Sequence, residues 1–255
     1  MELIHNIAHR GASAYEPENT LRAFARAIEM GATLIELDVH LSRDGQPVVI
    51  HDADLSRTTT GTGRVSDLSL DEIQRFDAGL GEHVPTLAQV IDLVRGQVQL
   101  YIELKGQQTP AAAVATLQAK DFIDQAIVGS FYPWLPQKAK FLEPALRTSV
   151  LVAWRDWQAD FVDWALAVEA DYVHLCWEHG SLTPHQLLSA DLITSIRRRG
   201  LETILWHEER PEEWVELVQL DVYGICTNMP DALASILGIS GSRLQAGQRR
   251  TDIRL

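Results

Sequence analysis

Apolar residues along this chain gather in short runs that alternate with segments whose apolar positions recur at helical spacing. Residues 3–8, 34–39, 99–104, 126–130, 146–152, 172–176, 201–206 and 222–226 read as strands. Helical patterns lie between them. Leu21, Phe24 and Ile28 share one face, with Asn19 as the expected cap and Gly31 as the stop. Leu87, Val90, Ile91 and Val94 form another face, opened by Thr86 and closed by Gly96. Further helices are predicted over 110–120, 135–141, 157–169, 211–220 and 230–237. One more runs from Thr183-Pro184 to Arg199-Gly200, with proline at its first position.

A ninth apolar run, 47–51, follows the second strand after only Ser42-Arg43-Asp44-Gly45-Gln46. A parallel partner would need a crossover of about a dozen residues, and Asp-Gly is a hairpin turn signal. The run is therefore predicted to lie antiparallel to the end of the second strand. Set aside, it leaves eight strands, each followed by a helix, in about 240 residues, the count of an α/β (β/α)8 TIM barrel. A doubly wound open sheet is the rival with the same alternation. The expected organisation is a single barrel domain over 1–239, with a small insertion after strand 2. That insertion, polar and turn-rich over 52–83, would form a cap over the barrel mouth. A polar tail follows over 240–255, frayed or docked on a neighbour, which leaves a homo-oligomer open.

Active sites of such barrels sit where the strands end at the C-terminal face. The first strand ends in His9-Arg10-Gly11, the second in Glu36-Leu37-Asp38 and the third stave in Glu103-Leu104-Lys105. Strand side chains alternate faces, so Glu36 with Asp38, and Glu103 with Lys105, point the same way. Ile35, Leu37, Val39, Ile102 and Leu104 suit the helix-facing side, which sends the charged set into the lumen. Three carboxylates in a low-dielectric mouth need compensation, and a hard divalent cation with oxygen ligands, Mg²⁺ or Ca²⁺, supplies it. The plainer reading is an ion-pair cluster with Arg10 and Lys105 alone. The hairpin folds His51 back opposite Asp38, with His9 on the adjacent strand. Two imidazoles flanking such a site suit one proton removal and one proton donation. His5, His40, His83, His179 and His185 read as structural or exposed. Arg10 offers a planar fork and Lys105 a point charge for phosphate oxygens.

Composition narrows the partners. The 255 residues are 46% hydrophobic and 22% charged, as in a globular protein. Asp and Glu number 35 against 22 Lys and Arg, a formal net charge of −13, which argues against nucleic acid and anionic membrane. A local cluster of positive groups within that negative field points to a small anionic substrate, a phosphate ester. Cys176 and Cys226 stand singly in apolar runs, as expected of reduced, buried thiols. The N-terminus lacks a basic and then apolar leader, and no 18-residue apolar stretch occurs, so a cytoplasmic protein without a membrane span is expected.

These residues carry a resemblance. His9-Arg10-Gly11, Pro17-Glu18-Asn19-Thr20, Glu36-Leu37-Asp38-Val39, Asp44-Gly45, Val48-Val49-Ile50-His51-Asp52, Arg57-Thr58-Thr59, Pro85-Thr86-Leu87 and Ile102-Glu103-Leu104-Lys105-Gly106 are similar to the motifs of the glycerophosphodiester phosphodiesterase family. The likeness is dense over 4–106 and thinner over 107–238. It implies a (β/α)8 barrel with an insertion after strand 2. The implied activity is cation-dependent hydrolysis of glycerophosphodiesters to an alcohol and sn-glycerol 3-phosphate. By resemblance Glu36, Asp38 and Glu103 would bind the metal, and His9 and His51 would be general acid and base. Arg10 and Lys105 would hold the phosphate. Ser130-Phe131 and Trp206 resemble further family positions, so Phe131 and Trp206 join the expected substrate pocket. With Trp134, Trp154 and Trp177, Trp206 also offers aromatic surface to a choline-like head group. The chain departs from the family pattern at His207-Glu208-Glu209, at Thr227-Asn228, where Thr-Asp is common, and at His174-Leu175-Cys176-Trp177. A lysophospholipase D or sphingomyelinase D-like activity is the alternative, weakened by the lack of a basic amphipathic helix.

Overall fold

Strand β1 (His5–His9) lies between β2 (Leu34–Leu41) and β9 (Gly224–Thr227), parallel to both, and this pairing closes the sheet. In the computed structural model, which describes residues 3–157, 160–177 and 183–239, the other staves follow in chain order. They are β4 (Gln99–Leu104), β5 (Ala126–Ser130), β6 (Arg147–Ala153), β7 (Tyr172–Cys176) and β8 (Glu202–Trp206). All are parallel, and the result is a closed eight-stranded barrel, the predicted (β/α)8 architecture. The extra strand β3 (Pro47–Val49) pairs antiparallel with β2, as the short Asp-Gly connection requires.

Helices α1 (Leu21–Glu29), α3 (Leu87–Val94), α4 (Thr109–Ala119), α5 (Trp134–Leu142), α6 (Phe161–Ala167), α7 (Pro184–Leu187), α8 (Ala190–Arg198), α9 (Pro211–Leu217) and α10 (Pro230–Leu237) follow the staves. The short α2 (Leu70–Ile73) belongs to the segment after β3. Ile35, Leu37, Val39, Ile102 and Leu104 are packed under these helices, on the side the alternation assigned to them. The lumen holds Ile7, Leu34, Tyr101, Ile127, Leu151, Ile204 and Trp206. The segment after β3 closes a small apolar cluster of its own on Val48 and Ile50, with Leu55, Val65, Ile73 and Val84.

Several local expectations are corrected. Thr20, not Asn19, caps α1, its hydroxyl accepting from the Ala23 N–H. Asn19 takes a left-handed φ of 58° and sends its side chain to the site. The helix predicted over 157–169 is the shorter α6, and a 3-10 turn (Trp154–Asp156) precedes the predicted range. The helix expected from 184 to 199 breaks at Leu188, because Ser189 is extended and its hydroxyl caps a new helix at the Leu192 N–H. Helix α9 ends three residues early, at Leu217. His179 and the tail 240–255 lie outside the described residues.

The turn after β1 places two left-handed residues in succession, Arg10 (φ 55°) and Gly11 (φ 82°). A Cβ on Gly11 would lie 2.7 Å from the Ala23 carbonyl carbon, so side chains are excluded by space as well as by φ. Gly11→Ala is expected to cost more than about 2 kcal/mol, read as a lower denaturation midpoint at unchanged slope.

Candidate active site

Register brings the charged strand ends together. His9 lies opposite Glu36 between β1 and β2, and Asp38 lies opposite Glu103 between β2 and β4. One carboxylate oxygen each from Glu36, Asp38 and Glu103 falls within 4.8 Å of the others, and all three residues are buried. Arg10 Nε stands 3.2 Å from Asp38, and Lys105 Nζ stands 3.0 Å from Asp38 and 2.7 Å from Glu103. The ion-pair cluster and the acidic triad are therefore one assembly. Its charges do not cancel, and the carboxyls divide. Burial would raise Asp38, but Lys105 and Arg10 outweigh it and hold the group well below the usual range. Burial, reinforced by Asp38, drives Glu36 well above its ordinary value. Burial also lifts Glu103 to about 7 despite Lys105.

Two carboxylate oxygens, Glu36 Oε1 and Glu103 Oε2, are buried with no hydrogen-bond partner. Such orphans cost free energy unless something binds them. Three convergent oxygen donors, two with unused lone pairs, fit a hard divalent cation such as Mg²⁺ or Ca²⁺.

The two imidazoles flank this cluster. His9 is buried, its Nδ1 2.7 Å from Asn228 Oδ1 and its Nε2 4.0 Å from Glu36. Its ring stacks on His207 at 4.7 Å and meets the edge of Trp206 at 4.9 Å. Burial, then Arg10, pushes His9 well below the usual imidazole range. His51 is a third exposed; Nδ1–H donates to Asp52 Oδ1 at 2.6 Å. His40 Nε2 reaches the His51 carbonyl at 3.0 Å, a structural role. Burial also lowers His51, though Asp38 opposes it. Burial thus favours the neutral form of both rings, and each is tied at Nδ1, which leaves Nε2 for proton transfer.

A cavity of about 630 Å³ opens over this cluster, lined by His51, Glu103, Lys105, Ser130, Phe131 and Arg155. Phe131 stands at the mouth, 38% exposed. Trp206 lies deeper, 4% exposed, between His9, Phe131 and His174. Trp134 is exposed, whereas Trp177 is buried in the core under the helices. Another cavity, about 470 Å³, lies at the opposite end of the staves among His5, Thr33, Val98 and Gln125, away from the acidic cluster.

The loops add residues that strand-end reasoning missed. Asn19 Nδ2 donates to Asp38 at 2.9 Å. Ser13 and Asn228 hydrogen-bond to His9, and Glu209 holds Asn228. Ser13 Oγ lies 2.7 Å from Asn228 Oδ1, and Glu209 accepts from the Asn228 N–H at 2.7 Å and the Thr227 hydroxyl at 3.0 Å. His174 is wholly buried in the lumen, and burial lowers it to about 3. Pro17-Glu18-Asn19-Thr20 and the departures at His207-Glu208-Glu209, Thr227-Asn228 and His174-Leu175-Cys176-Trp177 were the sequence signals for all of these but Ser13.

Glu209 gives a pH test. Burial raises it from the ordinary 4.5 to about 7, so folding favours its protonated form. That contribution is present below about pH 4.5 and lost as pH rises through 7. Glu209→Gln is therefore expected to raise Tm relative to the parent at pH 8 and not at pH 4, measured by thermal melts across that range.

Known proteins are similar to this chain in sequence and fold. The sequence profile of the Glycerophosphoryl diester phosphodiesterase family matches residues 9–232. The chain belongs to that family. Membership makes it a phosphodiesterase that hydrolyses glycerophosphodiesters. It is 32% identical over 249 residues to a glycerophosphodiester phosphodiesterase of Caldanaerobacter subterraneus, covering 92% of this chain and 98% of the relative. Among solved structures it is similar to a glycerophosphodiester phosphodiesterase from Agrobacterium tumefaciens, at 30% identity and a TM-score of 0.78, over 90% of this chain and 98% of the other. It is also similar to an Oleispira antarctica phosphodiesterase in complex with the product sn-glycerol-3-phosphate. That likeness has 26% identity and a TM-score of 0.81, over 91% and 96% of the two chains. In this family member no helix among the described residues is long and apolar enough to cross a membrane.

Proposed function

We propose that this chain cleaves glycerophosphodiesters to an alcohol and sn-glycerol 3-phosphate, with His9 and His51 as the proton-transfer pair and a divalent cation on Glu36, Asp38 and Glu103. The observation that carries the reading is the convergence of three buried carboxylates, two with unpartnered oxygens, between two imidazoles tied at Nδ1. Bound there, a cation supplies charge neutralisation and a template for the phosphate oxygens. Arg10 and Lys105 add a fork and a point charge for the same phosphate. Nε2 of one imidazole takes the proton of the attacking hydroxyl. The other ring acts from its imidazolium form, protonated at both nitrogens, and gives its Nε2 proton to the departing alcohol oxygen as its bond to phosphorus breaks. Asn228 and Asp52 accept at Nδ1 and so direct proton transfer in both rings to Nε2. Phe131 lines the cavity beside His51 and Lys105, and Trp206 backs the His9 ring. The solved relative bound to sn-glycerol-3-phosphate supports that product. Two buried thiols, Cys176 and Cys226, support a reducing, cytoplasmic setting.

Product analysis over a panel of diesters tests the reading. Glycerophosphocholine and its analogues are expected to release glycerol 3-phosphate with the free alcohol. Release of the alcohol's phosphate with free glycerol, or cleavage of a lysolipid alone, would overturn it.

A further inference from the structure

Arg57, named above only within a motif, lies outside the site groups described so far, yet it joins two of them. It ends a 3-10 turn (Leu55–Arg57) in the segment after β3, capped by Asp54 and anchored by the fully buried Leu55. Its guanidinium meets two carboxylates. Nε and Nη2 donate to Asp52 at 2.6 and 3.1 Å, and Nη1 and Nη2 donate to Glu18 at 2.9 and 2.8 Å. Each carboxylate has a second partner in the site. Asp52 accepts from His51 Nδ1 at 2.6 Å, and Glu18 accepts from Arg10 Nη1 at 3.0 Å. The result is one continuous chain, His51–Asp52–Arg57–Glu18–Arg10, between the end of the hairpin and the turn after β1.

An exposed ion pair usually contributes little, and the Arg57 side chain is nearly half exposed. Two features separate this case. The fork engages both carboxylates bidentately, which fixes orientation as well as distance. Both carboxylates pass that orientation on to a group at the site. The hold on Asp52 is strong, with the Arg57 hydrogen bonds the first cause of a carboxyl lowered to about 2.

We propose that Arg57 is a positioning residue, which through Asp52 and Glu18 fixes the His51 imidazole relative to the Arg10 guanidinium. The inference rests on the phosphodiesterase reading of that site. It makes the segment after β3 part of the site's construction, since a group outside the barrel sets the angle between the proton-transfer residue and the phosphate-binding one.

The test compares the effect of Arg57→Ala in the parent with its effect in an Asp52→Asn, Glu18→Gln background, with glycerophosphocholine as substrate. In the parent, kcat is expected to fall about 10–100-fold, the cost of misplacing a catalytic group by about an ångström. In the second background the further loss is expected to stay under about threefold, because the route Arg57 acts through is already cut. The Tm rise on adding Mg²⁺ or Ca²⁺ is expected to be unchanged by Arg57→Ala. The same variants, labelled with ¹⁵N-histidine, report the His51 Nδ1–H directly, protected from exchange in the parent and lost in Arg57→Ala. A kcat within about twofold of the parent, an equal loss in both backgrounds, or an undisturbed His51 Nδ1–H would overturn the proposal. If the parent cleaves no glycerophosphodiester, the phosphodiesterase reading fails, and the histidine resonance alone decides for or against Arg57.

Discussion

Alanine in place of His51 is expected to lower kcat on a glycerophosphodiester by about 10²–10⁴-fold, the usual contribution of a positioned acid or base. The fold is expected to survive. The ring is a third exposed, and its side-chain hydrogen bond among the described residues goes to the comparably accessible Asp52. His9 is a poorer place for this test. It is buried against Trp206 and His207, so its removal leaves a cavity and mixes stability with catalysis. Steady-state kinetics with a thermal melt on the same sample checks the His51 result. Turnover within about tenfold of the parent, at unchanged Tm, would reject the assignment of proton transfer to this residue.

The second large effect concerns the acidic triad. Glu103 has a folded value of about 7 against an ordinary 4.5, so in the cation-free protein its contribution to stability is lost as pH rises from about 4.5 through 7. A cation bound by the carboxylates reverses this loss by binding the deprotonated form. At roughly one hundred times its dissociation constant it would stabilise the fold by about 2.7 kcal/mol, a Tm rise of roughly 5–10 °C for a chain of this size. Glu103→Gln removes one of three crowded carboxyls. It is expected to leave the cation-free protein as stable as the parent at pH 8, or more so, to abolish the cation-induced Tm rise, and to lower kcat by about 10²-fold or more. Thermal shift with and without Mg²⁺ or Ca²⁺, at pH 5 and pH 8, separates these effects. A variant that keeps the full cation-induced shift would remove Glu103 from the cation site.

The barrel was legible because its information is local. β4, β5 and β7 lie at the residues their apolar runs predicted, and the short connection with its Asp44-Gly45 turn was enough to predict that β3 runs antiparallel. Alternation along β2 and β4 was enough to send Glu36, Asp38 and Glu103 into the lumen while Leu37 and Ile102 went under the helices. What failed was also local, where two cap signals competed. Ser189 cut a predicted helix in two, and Thr20 took the capping role from its neighbour Asn19. The supporting contacts of the site were not legible for a different reason. Asn228 reaches His9 across the closure of the barrel, Asn19 reaches Asp38 from a loop, and Arg57 reaches Glu18 across 39 residues. Hydrophobic periodicity carries no signal for such pairs. They depend on where loops land once the barrel has formed.

The most direct measurement is glycerol 3-phosphate release from glycerophosphocholine by chelator-stripped protein, titrated separately with Mg²⁺ and with Ca²⁺. The account predicts negligible release until a cation is added, then saturable recovery, with no recovery when Glu36, Asp38 and Glu103 are replaced by their amides. Full release in the presence of excess chelator, or equal recovery in the triple-amide variant, would contradict it.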